Sequence, residues 1–312
     1  RMSAIQMGVV GCGDIAGFTA LVSRLVRQAR LAACCDVDAN RAKTFARRHK
    51  IPTIYTDYQK MLAEATIDTI YLAVPHHLHY QMVLDALTAG IVRKKVNWIL
   101  DADIRGFFDH LDHEWLVKFL EHRIGDRRVI RLIRKWLKAG VLEDGQWTQT
   151  REGTPQGAVI SPLLANLYLH HVLDVWVESW RKTARGDVTI VRYADDFVMG
   201  FQFRDEAERF LRELTARLGK FGLEVHPTKT RLIEFGRFAA GNRQKRGQGK
   251  PETFDFLGFT HACGKNHKNG TFEVKRRTIA KRLRKKLQDI KQQLKRRQHR
   301  PTVEQAKWLQ SV

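Results

Sequence analysis

Tyr193-Ala194-Asp195-Asp196 lies between the apolar runs VTIVR and FVMGF, which reads as a β-hairpin with two adjacent carboxylates at its turn. Neighbouring aspartates repel, and keeping both ionised requires a compensating cation. Divalent ions bound by carboxylates and substrate phosphates provide it. Taken alone, the pair is also what an ordinary solvated turn contains, because Asp is a common turn residue. A second acidic cluster adds weight. Val96–Leu100 is an apolar strand that runs into Asp101-Ala102-Asp103 and then Ile104-Arg105-Gly106-Phe107-Phe108-Asp109. A strand ending in an acid and a Gly–aromatic turn can bring that acid beside the hairpin. Asp103 and Asp195 would then share two divalent ions, the arrangement that activates an attacking hydroxyl and neutralises a leaving pyrophosphate. Asp101 shares the strand face of Asp103 by two-residue alternation, and Asp103 is preferred for its place next to the turn. Asp109 and Asp112 fit local hydrogen bonding or a cap for the helix opening at His113.

Two glycine-bearing segments could hold flat or phosphate-bearing ligands. Gly153-Thr154-Pro155-Gln156-Gly157 puts glycines around a Pro-Gln pair, allowing backbone to approach something as flat as a base pair. Ser161-Pro162 follows as a helix start, Ser as cap and Pro at the first position. Near the front, Val9-Val10-Gly11-Cys12-Gly13-Asp14-Ile15-Ala16 ends a strand and opens a helix in a G-x-G-x-x-A pattern. Such glycines let a pyrophosphate rest on helix amides. Asp36, closing the next strand, stands where an acid can hold a ribose hydroxyl.

The elements that must position these residues fall into two grammars. Residues 1–91 alternate strands (Ile5–Val10, Leu31–Cys35, Thr53–Tyr55, Thr69–Val74) with helices (near Ile15–Gln28, Ala39–His49, Tyr58–Ala63, Leu78–Thr88), which predicts a partial Rossmann-like α/β domain with a parallel sheet. Residues 92–262 mix a strand, two helices (His113–Arg123, Arg127–Ala139), a hairpin and an amphipathic helix (Glu206–Lys220), the pattern of an α+β domain. Gly241–Lys250 reads as a basic loop. Residues 263–312 form a basic C-terminal segment, where Ile279, Leu283, Leu287, Ile290 and Leu294 mark one helical stripe from Lys275 onward.

Charge follows the same division. The chain of 312 residues carries a net charge of +22, which predicts a polyanionic partner. Residues 1–90 hold 10 Lys+Arg against 7 Asp+Glu, whereas residues 271–312 alone hold 14 against 3. A solvated helix and a nucleic-acid surface both fit that last segment. No apolar run approaches membrane-spanning length, and no signal peptide is read at the start. The four cysteines lack C-x-x-C spacing, which points to a reduced, cytoplasmic protein without a zinc site.

Taken in order, ILDADIRGFFDHLDH, REGTPQGAVISPLLANLYLH and VRYADDF resemble the palm motifs of group II intron reverse transcriptases. FGLEVHPTKT is similar to that family's next motif, FDFLGF to its primer-holding strand, and RRQHRPTVEQAKWL to the start of its thumb, or maturase, region. The resemblance covers about residues 91–312. It implies an RNA-directed DNA polymerase using two Mg2+ ions, an RNA template (intron RNA), a DNA primer and dNTPs. Asp103, Asp195 and Asp196 would be the metal ligands. Phe108 would lie under the incoming sugar and reject a 2′-hydroxyl. Gly153, Thr154, Pro155, Gln156 and Gly157 would contact the nascent pair or template. Lys229 would give a proton or charge to the departing pyrophosphate, and Phe256, Leu257 and Gly258 would form the primer grip.

GCGDIAG, CCDVDANRAKTFARRH and YLAVPHHLHYQMVLDALTAG resemble the N-terminal half of the glucose–fructose oxidoreductase and inositol dehydrogenase family. That resemblance implies NAD(P) binding through Gly11, Gly13 and Asp36. The family continues into a Glu-Lys-Pro motif and a substrate domain, but this chain runs Ile91-Val92-Arg93-Lys94-Lys95 into the polymerase-like part. Hydride transfer is therefore not expected. The polymerase's fingers would precede residue 91, where the Rossmann-like piece stands, so catalysis by this truncated form is left open. A non-catalytic RNA-binding, maturase-like protein remains an alternative. An NAD(P)-binding module, or a chimera without integrated function, is another.

Overall fold

The computed structural model describes residues 5–23, 29–122, 124–138, 141–143, 146–148, 153 and 161–310. The chain divides into two compact units, 1–95 and 96–312.

The first unit is a parallel sheet flanked by helices. β1 (Ile5–Val10), β2 (Ala29–Cys35), β3 (Thr53–Tyr55) and β4 (Thr69–Leu72) lie in the order β3-β2-β1-β4. Between them run α1 (Asp14–Ser23), α2 (Ala39–His49) and α3 (Tyr58–Glu64), and α4 (His76–Arg93) closes the unit. Parallel neighbours need crossover helices, which is why strand and helix alternate. α2 shows how sequence sets its ends. The Asp38 carboxylate accepts from the Asn40 and Arg41 amides, and Arg47, Arg48 and His49 occupy the last turn, where cations suit the dipole. α4 extends past the expected Leu78–Thr88 at both ends, starting directly after Pro75 and running through Gly90 to Arg93, where buried Ile91 holds its last turn.

The second unit is built on an antiparallel sheet in the order β10-β5-β9-β8: β5 (Trp98–Ala102), β8 (Val188–Tyr193), β9 (Asp196–Phe201) and β10 (Arg231–Glu234). Between β5 and β8 come α5 (His113–Glu121), α6 (Arg127–Lys138), the short hairpin β6 (Val141–Glu143) and β7 (Gln146–Thr148), α7 (Ser161–Leu169), a π-helical turn (His170–Asp174) and α8 (Val175–Arg181). α9 (Arg204–Gly219) follows β9, and its Phe210 packs against Phe201 and Trp180. β9 is buried from Phe197 to Phe201, as a central strand covered on both faces must be. Tyr168, wholly buried, donates its hydroxyl to the Phe221 carbonyl at 2.8 Å. This satisfies the one polar atom of a core aromatic.

α10 (Ala239–Lys245) precedes a second antiparallel sheet, β11 (Phe254–Phe256), β12 (Phe259–Lys265) and β13 (Phe272–Thr278), and then α11 (Ala280–Arg296) and α12 (Thr302–Gln310). Three readings change here. Part of the segment expected as a loop over Gly241–Lys250 is helix α10. Lys275–Thr278, expected to begin the basic helix, is β13, whose alternation the cluster of charges had hidden. The limit expected at 262/263 falls within β12. No helix among the described residues is long and apolar enough to cross a membrane.

Candidate active site

β5 and β9 pair antiparallel with Asp101 opposite Val198 and Ala102 opposite Phe197. Asp103 follows Ala102 at the end of β5 and Asp196 precedes Phe197 at the start of β9, so both acids stand at the same end of this strand pair. β8 pairs with β9 up to Tyr193 opposite Asp196, leaving Ala194 and Asp195 as the turn. Ala194 has φ 56°, a left-handed backbone uncommon outside glycine. The sheet thus brings the strand-end acid and the paired acids to one end of the same two strands.

The electrostatics fit that proximity. Burial raises the Asp196 carboxyl above its ordinary range, and the charges of Asp195 and Asp103 raise it further, against Arg282 and Lys229. Lys229 Nζ lies 2.8 Å from Asp103 Oδ2. That hydrogen bond, then the Asp103 and Asp196 charges, raise the Lys229 pKa. The Asp103 amide also donates weakly to Thr230 Oγ1 at 3.4 Å, and its carbonyl accepts from the His226 amide at 2.7 Å. The segment carrying Lys229 is therefore held to the end of β5. Asp101 is engaged elsewhere. It faces Arg231 across the β5–β10 pair, with Nη2 3.2 Å from Oδ2. Burial raises the Asp101 carboxyl, and Arg231 counters it.

Carboxylate oxygens such as those of Asp103, Asp195 and Asp196 are the donor type that suits a hard divalent cation. The described residues do not form a closed site, however: no group of three His, Cys, Asp or Glu among them is gathered as a metal centre. Asp103 is committed to Lys229, whose ammonium takes the place of a counter-ion.

The other expected residues divide. Phe108 is half-buried beside Phe107, their rings 5.3 Å apart and edge to face. Gly153 has φ 82°, and a Cβ there would meet the Phe108 and Asp109 carbonyl oxygens at 2.5 and 2.8 Å. Its amide donates to the Leu111 carbonyl, and its own carbonyl faces His113 Nε2 at 2.6 Å. Only glycine fits this approach, which ties the loop to the segment after Asp103. Thr154, Pro155, Gln156 and Gly157 lie outside the described residues. Asp112 caps α5, accepting from the Glu114 and Trp115 amides at 2.8 and 2.9 Å. Leu257 and Gly258 join β11 to β12 with φ 49° and 78°, a two-residue turn left-handed at both positions. Arg192 and Asp174, which the sequence did not single out, lie against the carboxylate turn. Arg192 Nη1 donates to the Ala194 carbonyl at 2.7 Å, and Asp174 grips the same guanidinium.

In the first unit, Gly11 has φ 85° and a Cβ there would lie 2.3 Å from the Ala73 carbonyl, whereas a Cβ at Gly13 would meet nothing within 4 Å. Buried Asp36 accepts from the Cys12 amide at 2.8 Å and the Asp38 amide at 2.9 Å.

Residues 46–261, more than half of the chain, match the family described as Reverse transcriptase (RNA-dependent DNA polymerase), a range that begins within α2. Over 120 residues the chain is 38% identical to the Group II intron-encoded protein LtrA of Lactococcus lactis subsp. cremoris, covering 38% of this chain and 20% of that protein. The chain thus spans about a fifth of that curated relative. Over 89 residues it is 34% identical to trans-1,2-dihydrobenzene-1,2-diol dehydrogenase of Bos taurus, covering 28% of this chain and 27% of that one. Among solved structures, an apo scyllo-inositol dehydrogenase from Lactobacillus casei is similar to 28% of this chain over 27% of its own, at 23% identity and a TM-score of 0.28.

Proposed function

The chain belongs to the reverse transcriptase (RNA-dependent DNA polymerase) family, and on that premise we propose that its second unit carries out template-directed DNA synthesis of the group II intron type. The observation that carries the reading is that β5 and β9 pair up to Ala102 opposite Phe197, so that the Asp103 charge, next along β5, raises the Asp196 carboxyl. Asp103, Asp195 and Asp196 would hold two Mg2+ ions. Bound there, such ions supply activation of a primer 3′-hydroxyl and neutralisation of the departing pyrophosphate. For its part, the chain sets the Asp195 and Asp103 charges close enough to Asp196 to raise its carboxyl, a repulsion that a divalent cation would relieve. Lys229, kept protonated by its neighbours, must give up Asp103 and is then free to hold or protonate a leaving oxygen. Phe108 would press on the incoming sugar where a 2′-hydroxyl would stand. Gly153 to Gly157 would lie along the nascent pair, and Phe256, Leu257 and Gly258 along the primer end. RNA template, DNA primer and dNTPs are the partners this reading requires.

Primer extension on an RNA template with magnesium, comparing the wild type with the Asp195→Ala/Asp196→Ala double variant, tests it. Removing the metal-binding charges is expected to cut extension at least about a hundredfold. Equal extension by both proteins removes the catalytic claim. A second reading, RNA binding without catalysis, draws on α11, none of whose residues is buried. It predicts RNA affinity untouched by the same double variant.

For the first unit we propose dinucleotide binding alone. Gly13 offers a cleaner test than Gly11, because a Cβ there meets no protein atom within 4 Å. Thermal stabilisation by NAD(P) that disappears in Gly13→Val supports it. No stabilisation of the wild type by either dinucleotide rules it out.

A further inference from the structure

We propose that Arg192 is a positioning residue, a brace that fixes the backbone of the carboxylate turn by holding the Ala194 carbonyl. The inference rests on the polymerase reading for its purpose, but its geometry stands independently. Arg192 lies on β8, immediately before Tyr193-Ala194-Asp195-Asp196, and its side chain is only 15% exposed. Asp174 takes Nε and Nη2 through its two carboxylate oxygens, at 2.8 and 2.6 Å, in a fork-to-fork pair. Such pairing fixes the plane of a guanidinium as well as its charge. The remaining nitrogen, Nη1, is thereby aimed at two acceptors, the Ala194 carbonyl at 2.7 Å and Asn166 Oδ1 at 2.9 Å. One planar group thus ties together α7, the π-helical turn and the hairpin tip.

Each part of this arrangement has a reason to exist. Ala194 sits at φ 56°, a backbone that a non-glycine residue holds only when its surroundings over-determine it. A charged donor on its carbonyl is such a constraint. Asp174 is the last residue of the π-helical turn. The inserted residue rotates the downstream helix α8 by about 100° relative to a regular helix, and such insertions collect at functional sites. Burial would raise the Asp174 carboxyl, but hydrogen bonds from His170 and Arg192 outweigh it and hold the group below its ordinary range. Asp174 therefore stays an acceptor. Lysine could replace the charge of Arg192 but not the fork, so it could not serve Asp174, Asn166 and Ala194 together.

Hydrogen–deuterium exchange of the full chain, read by mass spectrometry, tests the brace without substrate. Losing one charge-assisted bond should speed exchange over residues 193–197 about tenfold in both Arg192→Lys and Asp174→Asn. Exchange in α9 and in β11–β13 should stay as in the wild type. An unchanged turn, or an equal rise throughout the second unit, overturns the proposal. Mn2+ binding followed by electron paramagnetic resonance is the second measurement. If the wild type binds Mn2+ in a manner lost in Asp195→Ala, Arg192→Lys should weaken that binding about tenfold, and unaltered binding overturns the positioning role. If the turn loosens but no Asp195-dependent Mn2+ binding exists, the brace stands and the polymerase reading falls.

Discussion

The Lys229 ammonium is well exposed yet lies 2.8 Å from Asp103, and exposed ion pairs of this kind contribute little to folding. Its consequence should therefore be kinetic. Lys229→Ala is expected to leave the unfolding midpoint near that of the wild type and to slow primer extension about a hundredfold, the scale of a lost general acid. Lys229→Arg should recover charge but not proton donation. A midpoint that collapses with the rate would make the residue structural. His261 presents the opposite case, a buried group with a stability signature. Its ring stacks 4.7 Å from Phe254 at an interplanar angle of 8°. Burial, then the Arg276 charge, lower its pKa from 6.5 to about 4. The folded state thus binds the proton less well than the unfolded one, so this residue's stabilisation is complete above 6.5 and is lost as pH falls toward about 4. At about pH 5 the loss is about 2 kcal/mol. Urea unfolding should show His261→Phe losing less stability than the wild type between about pH 7.5 and about pH 5. Equal losses would mean that the buried ring is protonated in the native state. The placement of Asp103 at a strand end and of Asp195 in a hairpin turn could be read from sequence, because strand alternation and turn composition are local. The Asp101–Arg231 pair and the Arg192–Asp174 fork could not. Each joins residues far apart in the chain, and only the strand order or the π-turn brings them together.

At the level of elements, the β11–β12 hairpin sets two forces against each other at one residue. Leu257 holds a left-handed backbone, costing about 1–2 kcal/mol relative to glycine, yet only 9% of its surface is exposed. Burying such a side chain contributes about 1.5–3 kcal/mol, and glycine adds unfolded-chain entropy of about 0.5–1 kcal/mol. Burial wins. Leu257→Gly should therefore be destabilised by about 1 kcal/mol in urea, although the turn itself is relieved. A stabilised variant would show that the backbone cost had been the larger. FDFLGF reads from sequence as one strand, and the left-handed turn at Leu257-Gly258 that divides it into β11 and β12 was not visible there. α2 was read to the residue, because Asp38 and the basic last turn mark its ends. β13 was missed, because Phe272–Thr278 carries Glu273, Lys275, Arg276 and Arg277, and charge obscured an alternation in which Val274 is the buried member. α10 was missed for a related reason: glycines and charges read as loop, while Glu234, a buried acid on β10, accepts from Asn242 and Arg246 and draws the helix in.

At the scale of the molecule, the division of charge is the feature that composition alone made plain, and it governs how the second unit should meet a polyanion. α11 turns Leu283 and Leu287 out at 48% and 55% exposure and buries none of its residues. On the side away from that apolar stripe, 3.6-residue periodicity sets Lys281, Lys285, Lys295 and Arg296 together. Each cation that meets a phosphate releases part of a condensed counter-ion, so log affinity falls with log salt by about 0.7 per contact on single strands. If all four residues contact phosphate, replacing them with glutamine should flatten the salt dependence of RNA binding by about 3 in slope. Arg282 is left in place because its charge acts on Asp196, which keeps the binding test separate from the catalytic one. The Asp195→Ala/Asp196→Ala variant should retain the wild-type slope, since it removes no cation. An unchanged slope in the quadruple glutamine variant would mean that RNA follows another surface, and that the basic face of α11 is a solvated helix after all.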